Sequence, residues 1–277
     1  LMAGESTAYE SSGGSIALVG GKGSNTEEFS GGRGGHVALI GGEALGGNSD
    51  TDVGGALYMA GGKASTATGG SIALVSGERE STSSGSIHLH SNNAGASGVS
   101  GNLTFSSGNS TDGKSGSIHM STGVGVGGSG GDVNVAVGTG DAGVGGAIGL
   151  TSGESTSAGD AGGDMFLTAG KGHGEDISGG NIVLTAGESH SGDSWNSGVG
   201  GDIKLSGGES NLDLGGSLHF QSGYSAATSS GDVHVSTAEA GSSGVSGLVD
   251  VSTGASTNGT SGSISVHTGE GVGGSGG

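Results

Sequence analysis

"GSIALVSGE", residues 70–78, sets the reading of the whole chain. It runs glycine, small residue, apolar residue, any residue, apolar residue, two small or apolar residues, glycine and a charge. Ile72 and Leu74 lie two positions apart, and a period of two places both side chains on one side of an extended backbone. The same frame returns as "GHVALIGGE" from Gly35, "GAIGLTSGE" from Gly146, "GNIVLTAGE" from Gly180 and "GSISVHTGE" from Gly262.

Aligned on this frame, sixteen units open on Gly14, Gly35, Gly55, Gly70, Gly85, Gly101, Gly116, Gly131, Gly146, Gly163, Gly180, Gly201, Gly216, Gly231, Gly247 and Gly262. The opening position is glycine in all sixteen, and successive openings are 15 to 21 residues apart, most often 15. The third position on the apolar side, six residues after the opening glycine, is small in nearly every unit, as at Gly20, Ser76, Ala169 and Thr268. The residue after it is glycine at fifteen of seventeen sites, with Asn92 and Ala238 as the exceptions. Glycine with Asn as an occasional substitute is the signature of a corner with positive φ.

Seventy-two glycines in 277 residues would ordinarily mark a disordered tract, but a regular period changes that expectation. One short apolar segment per unit supplies no partner for a hairpin, so the frame predicts a stack. The expectation is an all-β chain: a parallel β-solenoid of about sixteen short coils, mostly 15 residues each, continuous over residues 1–277. Two aliphatic side chains per unit cannot by themselves offset the ordering of 15 glycine-rich backbones, so coils would have to support one another. The residue after each corner offers an internal check, because stacking would bring its equivalents to about 4.8 Å. That column reads Glu5, Lys22, Glu43, Lys63, Glu78 and later Glu154, Lys171, Glu188, an alternation suited to a stacked charge ladder.

A longer repeat overlies the short one. "GVGVGGSGG", residues 123–131, returns 146 residues later as "GEGVGGSGG", residues 269–277, and Gly55 through Gly116 each have an opening glycine at the same offset. The chain therefore divides into nearly two nine-unit blocks, residues 1–149 and 150–277. Neither end carries an evident polar cap, which predicts an excerpt of a longer array or units that stack end to end. The longest spacings carry Phe29 and Trp195, candidate lateral contacts between protomers; the alternative is that both rings fold back over the solenoid edge.

Chemistry-bearing patterns are sparse. A net charge of −19, from 26 acidic and seven basic residues, argues against nucleic-acid backbones and anionic membrane surfaces as partners. No apolar run approaches the roughly 18 residues of a membrane span. Cysteine is absent, which leaves no disulfide framework. His88, His119, His219 and His234 sit between the two apolar positions, yet only the last two fall in adjacent units and no carboxylate or further His completes a metal set. "GGSGGDVNV", residues 127–135, is similar to the calcium-binding nonapeptide of RTX β-rolls, but Asn134 replaces the large apolar residue and the motif is not tandem.

A β-helical polysaccharide-cleaving enzyme would need paired carboxylates or basic groups on a groove, and Arg33 and Arg79 are the only arginines. A threonine column for ice, Thr151, Thr168, Thr185 and Ser206, is broken by Val19, Ile40, Ala60, Val75 and His90. No catalytic residue, cofactor site or metal ligand is assigned, and the chain is read as a non-enzyme. Three N-glycosylation sequons begin at Asn102, Asn109 and Asn258.

Over its whole length the pattern of "GGSIALVSGE" (residues 69–78) and "SGG" (residues 178–180) resembles the Gly/Ser-rich repeat proteins of stramenopile, diatom-like algae. That resemblance implies a secreted or cell-surface location and a filament or surface role, and it supplies no catalytic residues. The expected function is a structural repeat protein of an extracellular filament or fibril, self-associating by end-to-end solenoid stacking, with glycans as candidate attachments. The alternative expectation is an adhesive or ligand-binding solenoid for glycan, mineral or ice.

Overall fold

The computed structural model describes residues 1–48, 50–79, 82–190 and 198–272. Among them there is no β-strand and no α-helix, so the expected parallel β-solenoid is not the fold of this chain. It is a coil of low regular structure built from repeated loops. Two units divide it, Leu1–Asn134 and Val135–Gly277, and each is organised by the same local device.

That device is one backbone hydrogen bond per loop. In the first unit, the N–H of Gly14, Gly35, Gly55, Gly70 and Gly85 donates to the carbonyl of Gly4, Gly21, Gly42, Gly62 and Gly77, at 2.8 to 3.0 Å. In the second, Gly163, Gly180, Gly201, Gly216 and Gly231 donate in the same way to Gly153, Gly170, Gly187, Gly208 and Gly223, at 2.9 to 3.0 Å. Each bond ties an opening glycine to the preceding corner glycine and closes the return segment between them.

The two glycines have different reasons to be glycine. A Cβ placed on Gly55 would lie 2.8 Å from the Gly42 nitrogen, whereas one placed on Gly42 would meet nothing within 4 Å. The opening glycine is thus needed for close approach of two backbones at Gly14, Gly35, Gly55, Gly70 and Gly216, where a Cβ would come within 2.8 to 3.0 Å of the corner nitrogen, whereas at Gly85, Gly163, Gly180, Gly201 and Gly231 it would find ordinary contact at 3.4 to 3.6 Å. The corner tolerates Asn92 and Ala238 because a side chain there points into open space. The expected positive φ is not found at any described corner; Gly113, Gly127, Gly143, Gly159 and Gly174 carry it instead, and all five lie in the return segments. There the chain reverses, so the tight turn and the corner are separate positions.

In fourteen of the sixteen loops, closure follows the residue just before the corner. Closure occurs after Ala3, Gly20, Gly41, Gly61, Ser76, Ser152, Ala169, Ala186, Gly207 and Ser222. It is missing at Gly131, Gly146, Gly247 and Gly262, where that residue is Thr122, Val137, Thr237 or Thr253. All four are β-branched, and a branch methyl fills the space: a Cβ on Gly146 would lie 2.6 Å from Val137 Cγ1, and one on Gly247 would lie 3.2 Å from Thr237 Cγ2. Gly101 also lacks the bond, opposite the corner residue Asn92, and Ala238 combines with Thr237 before Gly247. Gly116, opposite Gly108, stays open with neither feature, and nothing in the structure explains it.

Along the chain the order is five closed loops, four open, five closed and two open. The pattern therefore recurs every nine loops.

No apolar side chain is buried among the described residues. Ile16 and Leu18, or Ile72 and Leu74, remain 50 to 57% exposed, while the intervening or following Val19 and Val75 reach 85 to 86%. The period-two sidedness read from the sequence is present, but the covered side is only half covered. The accessible surface of 27106 Å² compares with about 10,000 Å² for a compact chain of this mass and about 37,000 Å² for an extended one. The solenoid fails for a physical reason. A stack needs backbone ladders between units, whereas in ten of the sixteen loops the opening glycine's N–H is satisfied within its own loop over 8 to 14 residues, a local closure of low entropic cost.

Two outcomes follow. Calorimetry should show no cooperative endotherm and a heat-capacity change far below the roughly 3 to 4 kcal/mol/K of a folded domain this long; a sharp two-state transition would contradict the absence of a core. By NMR, the Gly85 amide should exchange about fivefold more slowly than that of Gly131, matching a net backbone bond of about 1 kcal/mol. Ser76→Val should erase that protection and Thr122→Ala should confer it on Gly131.

Candidate functional site

Because the outward positions of an extended segment alternate with the apolar ones, residues one and three after an opening glycine share a side. One ion pair and one imidazole–carboxylate contact use this geometry. Lys204 Nζ lies 3.0 Å from Asp202 Oδ2 around Ile203, and His234 Nε2 lies 3.8 Å from Asp232 Oδ2 around Val233. All four side chains are more than two-thirds exposed, so neither pair is a desolvated charge site.

The charge column is arranged differently from the stacked ladder expected of it. No ion pair within 4.0 Å joins Glu5, Lys22, Glu43, Lys63, Glu78, Glu154, Lys171 or Glu188 to another of them among the described residues. Each follows a corner glycine and projects into solvent. Stacking on the equivalent residue would require the ladder geometry that the chain does not form.

His88, His119 and His219 also point outward, and no group of three or more His, Asp or Glu side chains among the described residues could hold a metal. No described helix is long and apolar enough to cross a membrane.

Return segments carry the local polar structure. Asn25 donates from Nδ2 to the Ser30 carbonyl at 2.6 Å and accepts at Oδ1 from the Glu27 N–H at 3.0 Å, and its carbonyl accepts from the Gly32 N–H at 2.9 Å. This Asx-type turn presents Phe29 at its tip, fully in solvent and not folded back. Asn48 and Asp52 build a second such turn: the Asp50 N–H reaches Asn48 Oδ1 at 3.0 Å, and Asp52 Oδ2 accepts from the Asn48 N–H at 2.8 Å. Trp195, the other candidate lateral contact, lies outside the described residues.

Asn102, Asn109 and Asn258 are exposed, and all three sit in the stretches where loops are open. Asn102 follows Gly101 directly, while Asn109 and Asn258 lie in the return segments before Gly116 and Gly262.

One concave feature was not anticipated. Phe105, Ile118, His119 and Met120 line an open depression of about 220 Å³ in the first unit. Phe105 and Met120 are the second apolar residues of neighbouring loops, and theirs is the column's only Phe–Met succession, the signal that could have revealed it. The lining is apolar apart from one imidazole, with no nucleophile–base pair and no carboxylate, so it can accept a hydrophobic group but offers no acid–base chemistry.

Comparison with known protein families, characterised proteins and solved structures gives no match.

With carboxylates dispersed and solvated, calcium should bind only as a screening counterion. Calorimetric titration should give a shallow heat that does not saturate and that about 0.15 M NaCl largely suppresses; a saturable isotherm of defined stoichiometry would require an assembled site.

Proposed function

We propose that this chain is a structural repeat protein of an extracellular filament or fibril, acting by self-association and not by catalysis. The observation that carries the reading is the nine-loop recurrence of the closed and open pattern, which makes each block an equivalent building element. A chain that repeats its backbone device ten times and, among the described residues, assembles no group of His, Asp and Glu side chains that could hold a metal is suited to presenting periodic surface.

Several further features support this proposal. The charge of −19 keeps so exposed a chain soluble until it is assembled. Hydroxyl-rich return segments and the sequons at Asn102, Asn109 and Asn258 suit a secreted or cell-surface location with attached glycans, and the resemblance to algal Gly/Ser-rich surface and filament proteins points the same way.

Negative-stain microscopy of the purified chain at rising concentration and salt provides the test. The expected result is unbranched filaments that appear above a critical concentration and at lower concentration as salt screens the acidic surface. Discrete monomers at every condition, together with saturable binding to a glycan or a mineral surface, would replace the filament reading with an adhesive one.

A further inference from the structure

Asn258 and Gly259 form the chain's only Asn–Gly pair. They sit in the return segment before Gly262, in a bend over residues 257–259, and both are exposed. Among the described residues the Asn258 side-chain amide has no hydrogen-bond partner, and the Gly259 N–H has no acceptor. The Gly259 nitrogen and the Asn258 side-chain carbonyl carbon, a nucleophile and an electrophile in adjacent residues, are therefore both unheld.

Other asparagines are restrained. Asn25 and Asn48 are tied by their side chains into Asx-type turns, with bonds of 2.6 to 3.0 Å. Asn102, Asn181 and Asn211 are followed by Leu103, Ile182 and Leu212, whose branched side chains crowd the approach of the next backbone nitrogen. Asn109 precedes Ser110, which still carries a Cβ, whereas Gly259 has none to obstruct the attack. The longer repeat supplies a second observation. Ser110 to Gly113 reads "STDG" where Ser256 to Gly259, 146 residues later, reads "STNG", and both stretches bend at the same place. A carboxylate at this position is thus a residue that the bend already accommodates.

We propose that Asn258 is a site of self-modification, at which the chain converts asparagine to isoaspartate and aspartate through a cyclic imide closed by Gly259. Hydroxide takes the proton of the Gly259 N–H, and the nitrogen attacks Asn258 Cγ. The new N–C bond forms as the Cγ–Nδ2 bond breaks, and Nδ2 takes a proton from water and leaves as ammonia, which regenerates the hydroxide. Water then adds to either imide carbonyl and a ring C–N bond breaks. Opening at the Asn258 backbone carbonyl leaves isoaspartate, with the main chain running through Cγ; opening at Cγ leaves aspartate. One water enters and one ammonia departs, with no oxidant, reductant or cofactor.

The product adds one negative charge to the −19 of the chain, and isoaspartate also lengthens the main chain by a methylene. Asn258 opens a sequon as well, and a glycan there would bond to Nδ2, the nitrogen that leaves, so the two modifications exclude each other at this residue. This chemistry is independent of the filament reading.

The test uses the full chain without attached glycans, incubated at neutral and at mildly alkaline pH in water enriched in heavy oxygen, then mapped by peptide mass spectrometry. Conversion at Asn258 should exceed that at Asn102, Asn109 and Asn211 by about tenfold or more. It should rise with pH, because the attacking nitrogen is deprotonated, incorporate one heavy oxygen and yield more isoaspartate than aspartate. Gly259→Val should slow it by about tenfold. A Cβ at Gly259 would meet only Ser256 Oγ, at 3.4 Å, so that substitution leaves the bend its room. Conversion no faster at Asn258 than at Asn102, aspartate as the sole product, or an unchanged rate in Gly259→Val would each overturn the proposal.

Discussion

Everything regular in this chain depends on how closely two backbones can approach at the base of each loop. An opening glycine must bring its N–H to the carbonyl of the preceding corner, and a Cβ on it would come within 2.8 to 3.0 Å of the corner nitrogen in loops such as those closed by Gly14, Gly35, Gly55, Gly70 and Gly216. This steric limit accounts for the opening glycine in those five loops; in the other closed loops a Cβ would find ordinary contact at 3.4 to 3.6 Å. A repeat can be strict at a position because a single atom has no room there, even when no core is present to enforce it.

The residue before the corner then acts as a local setting. Gly, Ala and Ser leave space for the bond; Thr and Val fill it with a methyl group. No distant contact is needed to decide the state of a given loop, because the competing atoms belong to residues 8 to 14 positions apart in the same segment. The state of fourteen of the sixteen loops is therefore written directly in the sequence of one column, Gly101 and Gly116 being open after Ser91 and Ser107. It survives without cooperative packing because each decision is made separately.

The sequence showed the period, the invariant glycine, the block length and the sidedness of Ile72 and Leu74, since each follows from spacing alone. Strands were not legible in the same way. Alternation states that two side chains share a side, and it is silent on whether the backbone groups between them find partners. A strand needs a neighbouring backbone, and in ten loops the N–H best placed to begin a ladder is taken by the loop's own corner. The charge column failed to pair for the same reason: alternation of Glu43, Lys63 and Glu78 implies attraction only if the loops stack in register. Phe105 and Met120 could have been noticed as adjacent bulky members of one column, but the depression between them depends on how the coil places neighbouring loops, which spacing alone does not state.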